Sequence, residues 1–269
     1  MNPVLNLAAY HFCAIAEPES VRTFLQSEAE RIDIKGTILI SQEGLNAFLA
    51  GSEFACREML KVLRSVPGFE ALQAKESWSA AMPFRRLKIK VKPEIIRMDQ
   101  PAIRPSAGRA PAVDPKTLAR WLDTGHDDDG RPVVMLDTRN DVEVDCGHFE
   151  NTIDWRIRKF TEFPAALSAH KEELRGKTVV SYCTGGIRCE KAAIFMQNEG
   201  VEHVYQLDGG ILKYFEETDG RHYRGACFVF DERGTVDTKL QPAPRSESKA
   251  RSPRVGVSPS LSPRPSESE

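Results

Sequence analysis

The sequence predicts two domains in series, an α+β unit followed by an α/β unit with a parallel sheet, and three observations carry that prediction. Apolar periodicity over residues 1–98 alternates between the strand and helix periods in the order β-α-β-β-α-β. From about Val113 to Arg224, short β-like runs alternate with helical stretches, as a parallel sheet requires. Between the two, Pro101, Pro105, Ser106, Gly108 and Pro111 break both patterns. At 269 residues the chain has room for both domains.

The elements follow in order. Val4 to Phe12 has β character, and Val21, Phe24, Leu25, Ala29 and Ile32 then recur at helical spacing. Gly36–Ser41 and Leu45–Ala50 flank a Gln42-Glu43-Gly44 turn and form a hairpin. Gly44 suits the backbone angles of a tight turn, and the turn is also a candidate substrate contact. Phe54 to Leu63 is a second helix. Leu87, Ile89 and Val91 alternate with Lys88, Lys90 and Lys92, the signature of a half-buried strand, which closes the unit as its last strand. This order matches the ferredoxin-like, or acylphosphatase-like, topology, which hosts many functions and names none.

Residues 99–112 are the linker, 113–224 the α/β domain and 225–241 a strand and turn appended to that domain. From Pro242 to Glu269 the chain is Pro, Ser, Arg and Glu with almost nothing apolar, which predicts a disordered tail.

Composition excludes several classes. Apolar content is 41% and the formal net charge is −2, so nucleic-acid binding would need a local patch. No apolar run approaches the roughly 18 residues that cross a bilayer, and Met1-Asn2-Pro3-Val4 lacks a basic leader, so the expected location is cytoplasmic. There thiols stay reduced. Cys13, Cys56, Cys146 and Cys227 are isolated and fit buried structural roles, and no CxxC spacing suggests zinc, so no metal is expected.

The chemistry concentrates in Cys183-Thr184-Gly185-Gly186-Ile187-Arg188, which follows the β-like run Thr178–Tyr182 and leads into a helix. Backbone N–H groups of such a loop turn inward as an anion nest, the helix start adds partial positive charge, and Arg188 adds a full one. All three favour a thiolate, the nucleophilic form of Cys183. Arg188 either completes this cradle or pairs with an acidic neighbour such as Glu143 or Asp137, and the two roles can coexist. Asp137, Arg139 and Glu143 are expected to brace the loop. Cys189, six residues after Cys183, is a second thiol, either resolving or hydrogen-bonding in the loop.

This loop resembles that of rhodanese-type sulfurtransferases, where a cysteine carries sulfur as a persulfide. Four residues separate Cys183 from Arg188, whereas related phosphatases have one more and a wider cradle. Val133–Glu143, Gly147-His148-Phe149 and Gln206–Ile211 resemble further rhodanese segments in the right order. The pairing is more specific still. Gly36–Asn46, Phe160–Pro164, Tyr182–Lys191 and Gly225–Asp231 together resemble the bacterial tRNA uridine hydroxylase family TrhO, over about residues 1–240.

That resemblance implies oxygen-dependent hydroxylation at C5 of the wobble uridine, position 34, with Cys183 as the active cysteine. It also implies tRNA, at its anticodon loop, as partner and molecular oxygen as co-substrate. No cofactor motif and no obligate protein partner are evident. Some relatives carry a cysteine-rich extension where this chain has its polar tail, so no metal is carried over. Two hypotheses for the sulfur stay open: addition to C6 of uracil, or oxygen delivery from an oxidised sulfur. Plain sulfur transfer is the alternative activity, and a non-catalytic binding module the alternative class. Arg85, Arg86, Lys88, Lys90 and Lys92 are the candidate RNA-facing patch. Lysines that guard an edge strand against aggregation are the competing explanation.

Overall fold

A computed structural model describes residues 3–243. The first domain contains β1 (Val4–Phe12), α1 (Pro18–Ile32), β2 (Lys35–Ser41), β3 (Gly44–Gly51), α2 (Glu53–Arg64), β4 (Ala74–Ser79) and β5 (Leu87–Val91). Its sheet runs β4-β1-β3-β2-β5. Pro18 opens α1, and Ser52 caps α2 by accepting the Ala55 N–H at 3.1 Å. Both helices bury apolar faces, Leu25 and Ala29 with Met59, Leu60 and Leu63, against Leu5, Leu7, Ile38, Ile40, Leu45 and Leu49 of the sheet. Each large side chain so buried contributes about 1.5–3 kcal/mol, more than any helix-propensity difference among these residues.

The expected strand order needs one correction. The fourth strand of the ferredoxin-like core is Ala74–Ser79, antiparallel to β1, while Leu87–Val91 is a fifth strand at the opposite edge, parallel to β2. The sequence hides β4 because Lys75, Glu76, Ser77 and Trp78 carry no apolar alternation: both faces of this strand meet partly polar surroundings.

The second domain contains β6 (Ala112–Val113), α3 (Pro115–Thr124), β7 (Val133–Asp137), α4 (Asp141–Val144), β8 (Gly147–Phe149), α5 (Phe163–His170), β9 (Thr178–Tyr182), α6 (Ile187–Asn198), β10 (Val204–Leu207), α7 (Gly210–Glu217) and β11 (Tyr223–Gly225). Four of these strands form a parallel sheet in the order β6-β10-β9-β7. β9, central and buried throughout, delivers the chain to Cys183. Ala112, at the end of the expected linker, already belongs to β6. The stretch before it is packed rather than free: Gln206 donates through its side chain to the Ala110 carbonyl (3.1 Å) and through its backbone to Pro111 (2.9 Å).

Residues 225–241 hold the expected strand and turn, completed by a second strand. β12 (Cys227–Phe228) and β13 (Thr235–Val236) pair as a separate hairpin that bridges the domains. Its turn donates from Glu232 N–H to the Pro83 carbonyl (3.0 Å) and from Arg233 to the Ser77 hydroxyl (2.9 Å). Of the expected disordered tail, Pro242 and Ala243 are held instead by the hairpin, with Ala243 N–H donating to the Thr235 carbonyl at 3.0 Å. The remainder lies outside the described residues. Among those described, no helix is long and apolar enough to cross a membrane.

The first domain's sheet has one face on its helices. On the other, Ala8, Tyr10, Asn46, Phe48, Thr37 and Leu39 share a face by register, as do Lys75, Lys88 and Lys90 at the two edges. The second domain seats α6 on the middle of that face, where Phe12 packs with Ile95 and Ile187. The lysine edge stays open.

Candidate active site

Cys183 leaves β9 and the chain turns through Thr184–Gly186 into α6. Gly186 sits at φ 98°, and a Cβ there would lie 2.9 Å from the Tyr10 hydroxyl and against the Gly209–Gly210 backbone. Only glycine fits. The start of α7 locks the loop from below: Ile211 and Leu212 N–H groups donate to the Cys183 and Thr184 carbonyls, both at 3.0 Å. Gly210 is part of the same device, because a side chain there would strike the Cys183 carbonyl at 2.5 Å. The Leu207-Asp208-Gly209-Gly210 segment therefore shapes the cysteine loop from a distant stretch of chain. Thr184 donates its hydroxyl to the Phe228 carbonyl (3.2 Å), tying the loop to the bridging hairpin.

The Cys183 sulfur accepts the Gly186 N–H at 3.1 Å and is about 1% exposed. Burial alone would push its pKa up. The Cys189 thiol, the Arg188 charge and the backbone N–H groups of Arg188 and Gly186 outweigh that and bring it down to about 6. Cys189 moves the other way. Burial raises it, and its hydrogen bond to Cys183 holds the proton further. It is the donor thiol of the loop, with the Thr138 hydroxyl 3.8 Å from its sulfur.

Arg188 pairs with an acidic neighbour, one of the two arrangements expected of it. Its two terminal nitrogens grip the Glu143 carboxylate at 2.8 and 2.7 Å, with both side chains buried, while its Nε has no partner. A buried donor left unpaired costs about 1–3 kcal/mol, and such a group is characteristic of a site awaiting an acceptor. Glu143 also accepts the Asn140 N–H, which fixes the carboxylate from behind (3.1 Å). Asp137 and Arg139 form a second, fully buried pair at 2.6 Å, and Arg139 donates to the Gly147 carbonyl at 2.7 Å. That pair anchors the β7 end and β8 around the loop. No contact joins it to the Cys183 sulfur.

Sequence reasoning missed the residues that the first domain brings. Lys75 lies 5.2 Å from the centre of the Tyr10 ring, and burial pushes its pKa down while the Cys183 charge draws it up. Tyr10 donates to Glu190 at 3.2 Å, and Arg109 holds the same carboxylate at 3.0 Å. One residue on, Lys191 is buried between Glu43 (2.8 Å) and Glu94 (2.6 Å) and also donates to the Ile96 carbonyl at 3.0 Å. Glu43 further accepts the Ile95 N–H (2.8 Å). Its carboxylate is thus engaged in a clamp between the domains, a structural role for the Gln42-Glu43-Gly44 turn. The available signal was the charged pair Glu190-Lys191 in the first turn of a helix whose other residues are mostly apolar.

Lys88, Lys90 and Lys92 are exposed and carry no anionic partner among the described residues. They share the face that holds Thr37 and Leu39. Arg86 is exposed beside them, whereas Arg85 is drawn to Glu232 of the hairpin at 2.8 Å and is not a free cation. Among the described residues no three His, Cys, Asp or Glu side chains gather as a metal site would need.

Comparison with known proteins follows the same division of the chain. Residues 4–95 match the UPF0176 acylphosphatase like domain and residues 114–217 the rhodanese-like domain. The chain is 60% identical over 244 residues to a tRNA uridine(34) hydroxylase of Delftia acidovorans, covering 91% of this chain and 93% of that protein. A protein of the same name from Variovorax paradoxus is 56% identical over 261 residues, covering 97% and 99%. One from Bordetella petrii is 59% identical over 243 residues, covering 90% and 96%.

Proposed function

Because this chain belongs to the tRNA uridine(34) hydroxylase family, we propose that it hydroxylates uridine 34 of tRNA, with Cys183 as its reactive group and the seam between the domains as its substrate face. The observation that carries this reading is the donor set at the Cys183 sulfur, which accepts the Gly186 N–H at 3.1 Å beside the start of a helix that carries Arg188. A sulfur held near pKa 6 by Gly186, Arg188 and Cys189 is ionised at neutral pH, where an ordinary thiol is mostly protonated.

The hydroxyl goes to C5, with molecular oxygen as its source. Thiolate addition to C6 moves electron density to C5 and O4, and the enolate attacks oxygen through C5. Loss of the C5 proton expels the Cys183 thiolate and leaves a C5 hydroperoxide, the oxygen having taken the electrons of the C–H bond. A small-molecule thiol reductant then cleaves the O–O bond. Two thiols become a disulfide, and the hydroperoxide becomes the alcohol and water. In this scheme Arg188 and the loop N–H groups hold the sulfur anionic, and Cys189 supplies a hydrogen bond rather than electrons. Lys88, Lys90, Lys92 and Arg86 receive the phosphates of the anticodon arm, and the enzyme works where tRNA is, in the cytoplasm.

Mass spectrometry of tRNA nucleosides from cells with and without the gene tests the proposal. Loss of 5-hydroxyuridine, or of a nucleoside built on it, is expected. An unchanged nucleoside profile together with brisk thiosulfate sulfurtransferase turnover by the purified protein would assign the rhodanese alternative instead.

A further inference from the structure

A cleft of about 470 Å³ opens at the seam beside the cysteine loop, a volume within the range of roughly 300–1,000 Å³ usual for small-molecule sites. Its walls come from both domains and the hairpin: Asn46 and Phe48 from the first sheet, Ile187 and Arg188 from the last two positions of the loop, Asn140, and Phe230. We propose that this cleft seats the target pyrimidine, turned out of the anticodon loop and stacked on Phe230, with its flanking phosphates on Lys88 and Lys90. The proposal rests on the hydroxylase reading and adds the site where the base is held.

Four observations carry it. Phe230 is 49% exposed, an unusual state for a phenylalanine at the rim of a cleft, and Phe48 and Phe228 hold its ring at centroid distances of 6.3 and 5.2 Å. A rigid, half-open aromatic is what base stacking uses. The Arg188 guanidinium lies 5.7 Å from the centre of the same ring, so a base on Phe230 abuts the end of the Cys183 loop. Asn46 already donates its side-chain N–H to the Ile95 carbonyl and Asn140 accepts the Glu143 N–H as a helix cap, which leaves Asn46 Oδ1 as acceptor and Asn140 Nδ2 as donor for the alternating O2, N3–H and O4 edge of uracil.

The fourth observation is charge. Phe48 pairs with Thr37, and Thr37 with Lys88, so free ammonium groups begin two strands from the aromatic wall, at about 4.8 Å per strand. The neighbouring seam cleft, beside Tyr10, is balanced in charge. Its carboxylates Glu190, Asp208 and Glu216 face Lys75, Arg109 and Lys213, and Arg109 and Lys213 are already paired with Glu190 and Asp208 at 3.0 and 2.5 Å. A phosphate approaching there meets no net attraction.

The test uses the full chain and a tRNA transcript carrying 4-thiouridine at position 34. Irradiation followed by trypsin is expected to place the cross-link on the peptide 225–233, which contains Phe230. Phe230→Ala should lower kcat/KM about tenfold or more, as loss of one stacked base does, while the rate of Cys183 alkylation stays unchanged. Phe230→Tyr should restore turnover. A cross-link on peptides carrying Tyr10 or Lys75, or wild-type kcat/KM in Phe230→Ala, overturns the seat while hydroxylation by the wild-type protein stands. A wild-type protein that leaves uridine 34 unmodified overturns the underlying reading itself.

Discussion

Cys183 and Cys227 are both buried, at 1% and 0% exposure, yet their thiols are driven in opposite directions. Burial pushes Cys227 up to about 12, with the distant Arg139 charge too weak to compensate. Cys183 suffers the same desolvation and ends near 6, because two backbone N–H groups, a thiol donor and Arg188 converge on its sulfur. Exposure does not distinguish these two thiols. The number of donors aimed at the sulfur does.

The largest test of that contrast is removal of each thiol. Cys183→Ser should abolish uridine hydroxylation, by roughly three orders of magnitude or more, while Cys227→Ala keeps most of it despite some loss of stability. Nucleoside mass spectrometry of transcripts incubated with each variant gives the comparison. Equal activity in the two variants would erase the distinction.

Arg188→Lys is next. Lysine keeps the charge but cannot hold Glu143 through two parallel nitrogens or present an Nε–H to the loop. Turnover should fall about a hundredfold, the usual cost of one misplaced transition-state donor. A variant with undiminished turnover would confine Arg188 to its ion pair with Glu143.

The pH response separates the thiols without a variant. Iodoacetamide should alkylate Cys183 with a midpoint near pH 6, since the rate follows the thiolate and the thiolate forms above its pKa, and should leave Cys227 untouched in the folded protein. Stability carries the same signs. The depressed Cys183 pKa contributes stability that is present above its ordinary value near 9 and is lost as pH falls through 6. The raised Cys227 pKa contributes stability that is present below that ordinary value and is lost as pH rises towards 12. The denaturant midpoint of the wild type relative to Cys183→Ala should therefore shrink between pH 9 and pH 6. A constant difference would mean that the sulfur is not ionised in the folded protein.

Smaller effects come from groups further from the sulfur. Cys189→Ala removes one donor, so the alkylation midpoint should move up and turnover fall by about tenfold or less. Replacing Lys88 and Lys90 by Glu should weaken tRNA binding and flatten its salt dependence, with the alkylation midpoint of Cys183 unmoved. Unaltered affinity at low salt would leave those lysines as guards of an edge strand.

Local chemistry is legible in the sequence. A strand followed by a cysteine, two glycines and an arginine within six consecutive positions specifies an anion nest, because each step depends only on near neighbours along the chain. The helices α1 and α2, the Gln42-Glu43-Gly44 hairpin and the outward face of Lys88, Lys90 and Lys92 were legible through their periodicity. Strand β4 was not, since a strand between two partly polar surfaces has no apolar alternation to display. The role of Glu43 was hidden for a related reason. A carboxylate in a turn looks solvated until a lysine from residue 191 is brought against it.

By itself the sequence determined the two folds, the thiolate-forming loop and the family to which the chain belongs, all of them encoded in contiguous runs. Only the tertiary structure decided what lies opposite the loop. It set Lys75 against the Tyr10 ring, engaged Glu43 and Glu94 with Lys191, and laid the strand and turn of residues 225–241 across the two domains as a bridge. Those outcomes depend on which face of one sheet receives one helix of the other domain. That choice is made by complementary surfaces from distant segments, and no periodicity within either segment records it.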